Sequence, residues 1–250
     1  ADLSINVDYQ GFRGRDAFAA LPPVNADVQA AFPDRFQRDL SGRLIAVDAR
    51  PVPFDLVKRD ELRWGATFSR NFGVVASPSP KTASEDGAAM VAGWRTNVFF
   101  QHSWTLASTR RARSGLPTID LLDGGAIGYG GGVPRHQIQF GGGVVHRGIG
   151  LQVDGDITGR SRVASGTIAA PDTLRFAARA LIDARLFVNL GPQLPGKAWA
   201  KGARISFGVE NMFDSKARVR DGSGTTPIGY QPYLIDPLGR VVTLALRKVF

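Results

Sequence analysis

The end of the chain constrains its fold most. Over 238–250 it reads LGRVVTLALRKVF and alternates strictly, with Val242, Leu244, Leu246 and Phe250 on one face. Lys248 is the exception in that row, and Val241, Thr243, Ala245 and Arg247 take the other face. In soluble proteins the last residues are commonly frayed and polar. A strand with a continuous apolar row that ends on a terminal phenylalanine suits a barrel whose closing strand meets lipid at every second residue.

The same period of two recurs along the chain. Leu3, Ile5, Val7 and Tyr9 oppose Ser4, Asn6, Asp8 and Gln10, and Leu62, Trp64, Ala66 and Phe68 oppose Glu61, Arg63, Thr67 and Ser69. Val98, Phe100, His102, Trp104 and Leu106 form a third such row, and Ile149, Leu151, Val153 and Ile157 a fourth. This is the half-buried strand signature, with little helical period to compete. The longest alternation spans 174–190, with Leu174, Phe176, Ala178, Ala180, Ile182, Ala184, Leu186, Val188 and Leu190 on one side and Arg175, Arg179, Asp183, Arg185 and Asn189 on the other. It is expected to be a single tilted strand that crosses lipid and continues above it.

Eight strands are expected: 3–13, 43–70 (broken near Pro51 and Pro53), 94–108, 136–147, 149–161, 173–190, 203–213 and 239–250. The fold class is therefore all-β, an antiparallel transmembrane β-barrel segment. The links 14–42, 109–135, 161–172 and 214–238 should share one side and 148, 191–202 and 71–93 the other, the first set being the longer extracellular loops. The 71–93 link is too long for that rule and reads as an insertion. The long links carry Asp, Arg, Gly and Tyr in non-periodic order, suited to adaptable ligand contact and not to a packed core.

Composition supports this reading and removes others. No run of eighteen apolar residues is present, so no transmembrane helix is expected. Thirty glycines and fifteen prolines fit a turn-rich β-protein, and the absence of cysteine removes disulfides and thiolate metal sites. The net charge of +9 suits an anionic partner, but the arginines are scattered over strands and loops, which argues against nucleic acid. The glycine run 124–132 lacks a following Gly-Lys-Ser/Thr and is no phosphate cradle. His102, His136 and His146 have no carboxylate at ligand spacing, and no Gly-x-Ser-x-Gly elbow exists, so neither a metal, a cofactor nor catalysis is expected. Trp94, Trp104, Trp199, Phe213 and Phe250 fall near strand ends, as interfacial aromatic girdles do.

Three pieces of the tail resemble the end of TonB-dependent outer-membrane receptors. ISFGVENMFDSKA (205–217) resembles the penultimate strand of that family, DPLGR (236–240) the link into its last strand, and VVTLALRKVF that last strand. VDYQGFRGRDAF (7–18), AAFPDRFQRDLSGRL (30–44) and DLLDGG (120–125) are similar to other barrel segments of the family. Lys248 departs from the pattern, since the third residue from the end is often aromatic or apolar there. The family's barrels have 22 strands and a plugged lumen. The resemblance thus implies that 1–250 is the C-terminal portion of a receptor barrel, without its plug, in the outer membrane of a Gram-negative bacterium.

That resemblance also implies function and partners. The receptor imports a scarce ligand, such as a metal chelate or an oligosaccharide, and the TonB energy-transducing system acts through the plug. The plug, the N-terminal barrel strands and the barrel-assembly machinery are the expected partners. Phe250, with Leu246 and Leu244, would be the assembly signal. Arg110, Arg111 and Arg113 at the outer rim are candidates for ligand or lipopolysaccharide phosphate. Arg175 and Arg179, expected on the lumen side, are candidates for an anionic ligand or the plug. Two other readings stay open: a complete small outer-membrane barrel with a structural or adhesion role, and a soluble basic β-sandwich that binds a polyanion.

Overall fold

The computed structural model describes residues 1–19, 21, 26–73, 93–115, 118–125, 131–166 and 170–249. Eight long strands build one antiparallel sheet in chain order: β1 (Asp2–Gly14), β2 (Leu56–Phe72), β3 (Trp94–Arg111), β4 (His136–His146), β5 (Ile149–Thr158), β6 (Arg179–Asn189), β7 (Ala203–Glu210) and β8 (Val241–Lys248). In up-and-down order the chain leaves the sheet for the β1–β2, β3–β4, β5–β6 and β7–β8 links at one edge, here called the upper, and for the β2–β3, β4–β5 and β6–β7 links at the lower. This is the grouping of links expected from the sequence. The tightest link, Arg147–Gly148, has φ of +46° and +83°. Those values match the primed two-residue turn whose twist suits a hairpin.

Register separates the two faces across the whole sheet. Tyr9, Leu62 and Trp104 align, as do Val7, Trp64, His102, Ile138, Ile157 and Ala180. Further down, Leu151, Val144, Leu186, Phe207 and Leu244 form another apolar row. The opposite face carries Ser4, Asn6, Arg63, Gln101, Gln139, Asp154, Asp183, Arg185, Ser206 and Thr243. A one-residue slip at any pairing would flip that strand's apolar set to the polar side.

No second layer covers the apolar face among the described residues. Ile5 is 68% and Leu244 75% exposed. A soluble sheet would bury such a face against another element. Nor does the sheet close: β1 and β8 are its two ends and do not pair.

Three expected strands are corrected. The alternation over 174–190 breaks at Ala177 and Ala178, so that Pro171–Phe176 belongs to a separate three-stranded sheet with Ser161–Gly166 and Val219–Arg220. Period two persists through such a break, because neighbouring sheets ask for the same alternation. The expected strand 43–70 likewise joins the large sheet only at Leu56. Leu44–Val47 pairs with Phe36–Arg38, and Val52–Phe54 with Ala17–Ala19. The strand 149–161 ends at Thr158, and Ser161 opens the small sheet.

The hydrophobic core sits at the upper edge, not in the large sheet. Val28, Ala31, Phe32, Val52, Phe54, Ala112, Ile119 and Leu121 pack together, with the Phe32 and Phe54 rings edge to face at 5.6 Å. This overturns the expectation that the long links are unsuited to a packed core. Their apolar residues come from two separate links, 15–55 and 112–135, so no local period announces them.

Candidate functional site

The upper edge positions the candidate ligand-binding residues, and β3 delivers the first group. A β-bulge at Leu106 shifts the register between β2 and β3, with Glu61 opposite Thr105 and Asp60 opposite Ala107. Bulges re-aim a strand, and this one lies where the apolar face gives way to charge. Buried Glu61 accepts from Arg59 Nη2 at 2.7 Å and from Arg63 Nε at 2.5 Å, and Lys58 meets Asp60 at 2.8 Å.

Beyond that point the three rim arginines go to three different environments. Arg110 lays its guanidinium over the Phe54 ring at 5.3 Å, and its buried Nε and Nη1 find no hydrogen-bond partner. Arg111 is held by Asp55 through Nη2 at 2.9 Å. Arg113 is exposed and borders a cavity of about 490 Å³ lined also by Asp16, Asp34, Arg35 and Asp55. The expected basic cluster is therefore divided: Arg110 covers the core, Arg111 braces the base of β2, and Arg113 alone faces open space.

The acidic groups of the rim serve as turn anchors. Asp48 accepts from Arg50 Nη2 at 2.7 Å and Arg35 Nη1 at 2.5 Å, and these partners, Arg50 foremost, hold its carboxyl far below the usual range. Asp39 is lowered by the Ser41 hydroxyl and the Arg43 amide. Asp221 is pulled down to about 2, first by the Ser223 hydroxyl and then by Thr225. Apart from the Arg35 contact to Asp48, the donors lie within four residues of each carboxylate, the Asx-type chemistry that fixes a turn.

Arg175 and Arg179, expected to share the lumen face of one strand, part company. Arg179 opens β6 and pairs with Asp236 at 2.6 Å. Arg175 stands on the small sheet between Arg162 and Arg220. The sequence signal for this group is the spacing of Arg160 and Arg162, and of Arg218 and Arg220, each pair two residues apart.

The two tail motifs meet at this edge in one latch. Asn211 takes φ +49° and clasps Ser215, accepting from its amide at 2.7 Å and donating to its carbonyl at 3.0 Å. Asp183 accepts from the Asn211 amide at 2.7 Å. Asp214 accepts from the Arg240 amide at 3.1 Å, and Asp236 holds Arg179 and the Gly239 amide. Gly239 has φ +61°, and a Cβ there would lie 2.3 Å from Asp214 Oδ1. Asn211, Asp214, Asp236 and Gly239 therefore form one joint between β7 and β8.

Both margins of the apolar face carry aromatic pairs. At the lower margin Trp94 stacks on His146, with centroids 4.4 Å apart and 9° between planes. At the upper, Trp104 stacks on His136 at 5.6 Å, and His102 Nε2 lies 3.1 Å from His136 Nδ1. All three histidines thus sit on the apolar face at its margins. Trp199 and Phe213 lie in the lower and upper links, both exposed. Two cations near the lower margin of this face point to its rim. Arg70 covers the Phe72 ring at 4.5 Å, and Lys248 donates to the Trp199 and Lys201 carbonyls at 2.9 and 2.5 Å. Leu244 and Leu246 project from the apolar face of β8, while Phe250 lies outside the described residues.

On the polar face a groove of about 530 Å³ is lined by Asp154, Asp183, Arg185 and Glu210 among others. Among the described residues no group of three or more His, Asp or Glu is placed to hold a metal ion. No protein-family model, curated protein or solved structure matches this chain.

Proposed function

We propose that this chain is the C-terminal portion of a TonB-dependent outer-membrane receptor barrel, with its upper edge on the extracellular side. The observation that carries the membrane reading is the apolar face bounded by two Trp–His pairs. Trp94 aligns with His146, and Trp104 with His136, ten residues further along both strands. At about 3.3 Å per residue and a tilt of about 35–45°, ten residues project to roughly 23–27 Å along the membrane normal. That is the height of an outer-membrane apolar band, flanked as usual by aromatic girdles. The cations Arg70 and Lys248 support it, since their charged ends turn to the margin as snorkelling side chains do.

The receptor part of the reading comes from the tail motifs, and the latch supplies a physical reason for their residues. In this reading the open edges of β1 and β8 are continued by strands of the rest of the receptor, because lipid cannot satisfy their free N–H and C=O groups. The polar face lines the lumen and meets the plug, and the upper links make first contact with a scarce ligand such as a metal chelate or an oligosaccharide. The uncovered apolar face speaks against a soluble sandwich.

The test is depth-dependent quenching. Single-tryptophan chains retaining Trp94 or Trp104 are reconstituted in vesicles whose lipids carry bromine at defined acyl positions. Quenching of both should be strongest with bromine near the headgroups. Equal insensitivity of both to every bromolipid would overturn the membrane assignment.

A further inference from the structure

The small upper sheet carries a row of arginines that neither the barrel nor its latch uses. Arg162 is in register with Arg175, and Arg175 with Arg220. Directly opposed residues on neighbouring strands project from the same face. The other face is apolar: Val163 and Val219 are buried, and Phe176 meets the Tyr230 ring edge-on at 5.6 Å. The three arginines are exposed. Arg160 and Arg218, also exposed, lie two residues before Arg162 and Arg220 and extend the positive charge.

Among the described residues, one nearby carboxylate, Asp123, forms an ion pair with this row, at Arg162. Asp172 is taken up by the Thr173 and Gly222 amides, and Asp221 by Ser223 and Thr225. Arg220 donates to the Gly224 carbonyl at 2.5 Å, which fixes its direction without cancelling its charge. Like charges directly opposite each other destabilise a sheet, and here that occurs twice in one row.

We infer that this row binds a ligand with two or more anionic groups, phosphates or carboxylates, set within about 10 Å of each other, which is twice the spacing between strands. Guanidinium forks grip such oxygens in bidentate fashion. Asp123 occupies Arg162, so a single anion meets Arg175 and Arg220, whereas a second anionic group can replace Asp123 on Arg162 and engage all three. Its role in capture rests on the upper edge being the ligand side; the binding itself does not.

The experiment titrates the full chain in neutral detergent micelles with pyrophosphate, and with orthophosphate as the single-anion comparison. Pyrophosphate should bind at least about tenfold tighter than orthophosphate and weaken with added salt. Arg175→Gln should lose at least about tenfold in affinity, Arg220→Gln should lose affinity too, and Arg175→Lys should fall between because its ammonium cannot fork. Arg43→Gln, away from the row, should bind as the parent does. Unchanged far-ultraviolet circular dichroism shows that each variant has folded. Vesicles with and without phosphatidylglycerol distinguish the source of the anion: Arg175-dependent capture of the charged vesicles alone assigns it to a lipid headgroup. Affinities for pyrophosphate and charged vesicles that are equal in parent and Arg175→Gln would overturn the site. Because these titrations are independent of bromolipid quenching, the site and the membrane reading can fail separately.

Discussion

Substituting Val98 by arginine tests the central face assignment. Val98 lies on β3 in register with Phe68 and Gly142, on the apolar face, and is 50% exposed. It stands four residues above Trp94 and six below Trp104. In the proposed membrane arrangement each residue rises roughly 2.5 Å along the normal, which would put Val98 about 10 Å above the lower girdle and about 15 Å below the upper, close to the midplane. A charge there should cost about 2–4 kcal/mol in a bilayer, a factor of about 30–700 in the folding equilibrium. Gln101→Arg, three residues on and facing the polar side, is the matched control and should cost under about 1 kcal/mol. Were the face wet, Val98→Arg would change stability by no more than about 0.5 kcal/mol, as exposed substitutions do. The assay is guanidinium unfolding of the chain from phosphatidylcholine vesicles, read by tryptophan fluorescence. Equal midpoints for the two variants would refute the lipid-facing assignment.

Further outcomes follow from the rim and the links. Since the chain has no cysteine, Leu40→Cys in an upper link and Lys197→Cys in a lower one should report sidedness cleanly. A membrane-impermeant maleimide added to intact cells should label the first and spare the second; the reverse pattern inverts the topology. Gly239→Ala forces a Cβ against Asp214 into a left-handed backbone, and should cost about 1–3 kcal/mol, seen as faster hydrogen exchange across 236–241 than in the parent; unchanged exchange would sink the latch. Asp221, with its folded pKa depressed to about 2, adds stability to its turn that is fully present above the ordinary carboxylate range near 4. That stability is lost as pH falls through about 2, so amide exchange at Ser223 and Thr225 should rise only in that window, and Asp221→Asn should abolish the dependence. Deleting Phe250 should slow assembly of the parent barrel more than it destabilises the assembled one, because a terminal aromatic contributes at most about 1.5–3 kcal/mol; a truncated protein that reached the membrane at the normal rate would remove its role as a signal.

The latch and the aromatic margins were legible in the sequence as motifs and strand-end residues. Their geometry was not. The hydrogen bonds that make Asn211, Asp214, Asp236 and Gly239 one joint link residues 25 or more positions apart. Lys248, an exception in an otherwise apolar row, is accounted for once its ammonium is seen on the Trp199 and Lys201 carbonyls of the lower link. Arg110 and Arg111, adjacent in the chain, differ because one meets Phe54 and the other Asp55, both brought there from the first upper link.

By itself the sequence determined which residues share a face and where most strands of the large sheet run. Alternation is a local property: successive side chains of any strand point to opposite sides, whatever the strand pairs with. For the same reason alternation does not specify a partner. Only the tertiary structure decided that the 174–190 pattern divides at Ala177 and Ala178 between two sheets, which takes Arg175 off the polar face of the large sheet and sets it between Arg162 and Arg220. Only the tertiary structure, too, gathered Val28 and Phe54 from one link and Ile119 from another into a core at the rim. Both outcomes depend on pairings between residues far apart in the chain, and such contacts leave no period in the sequence around them.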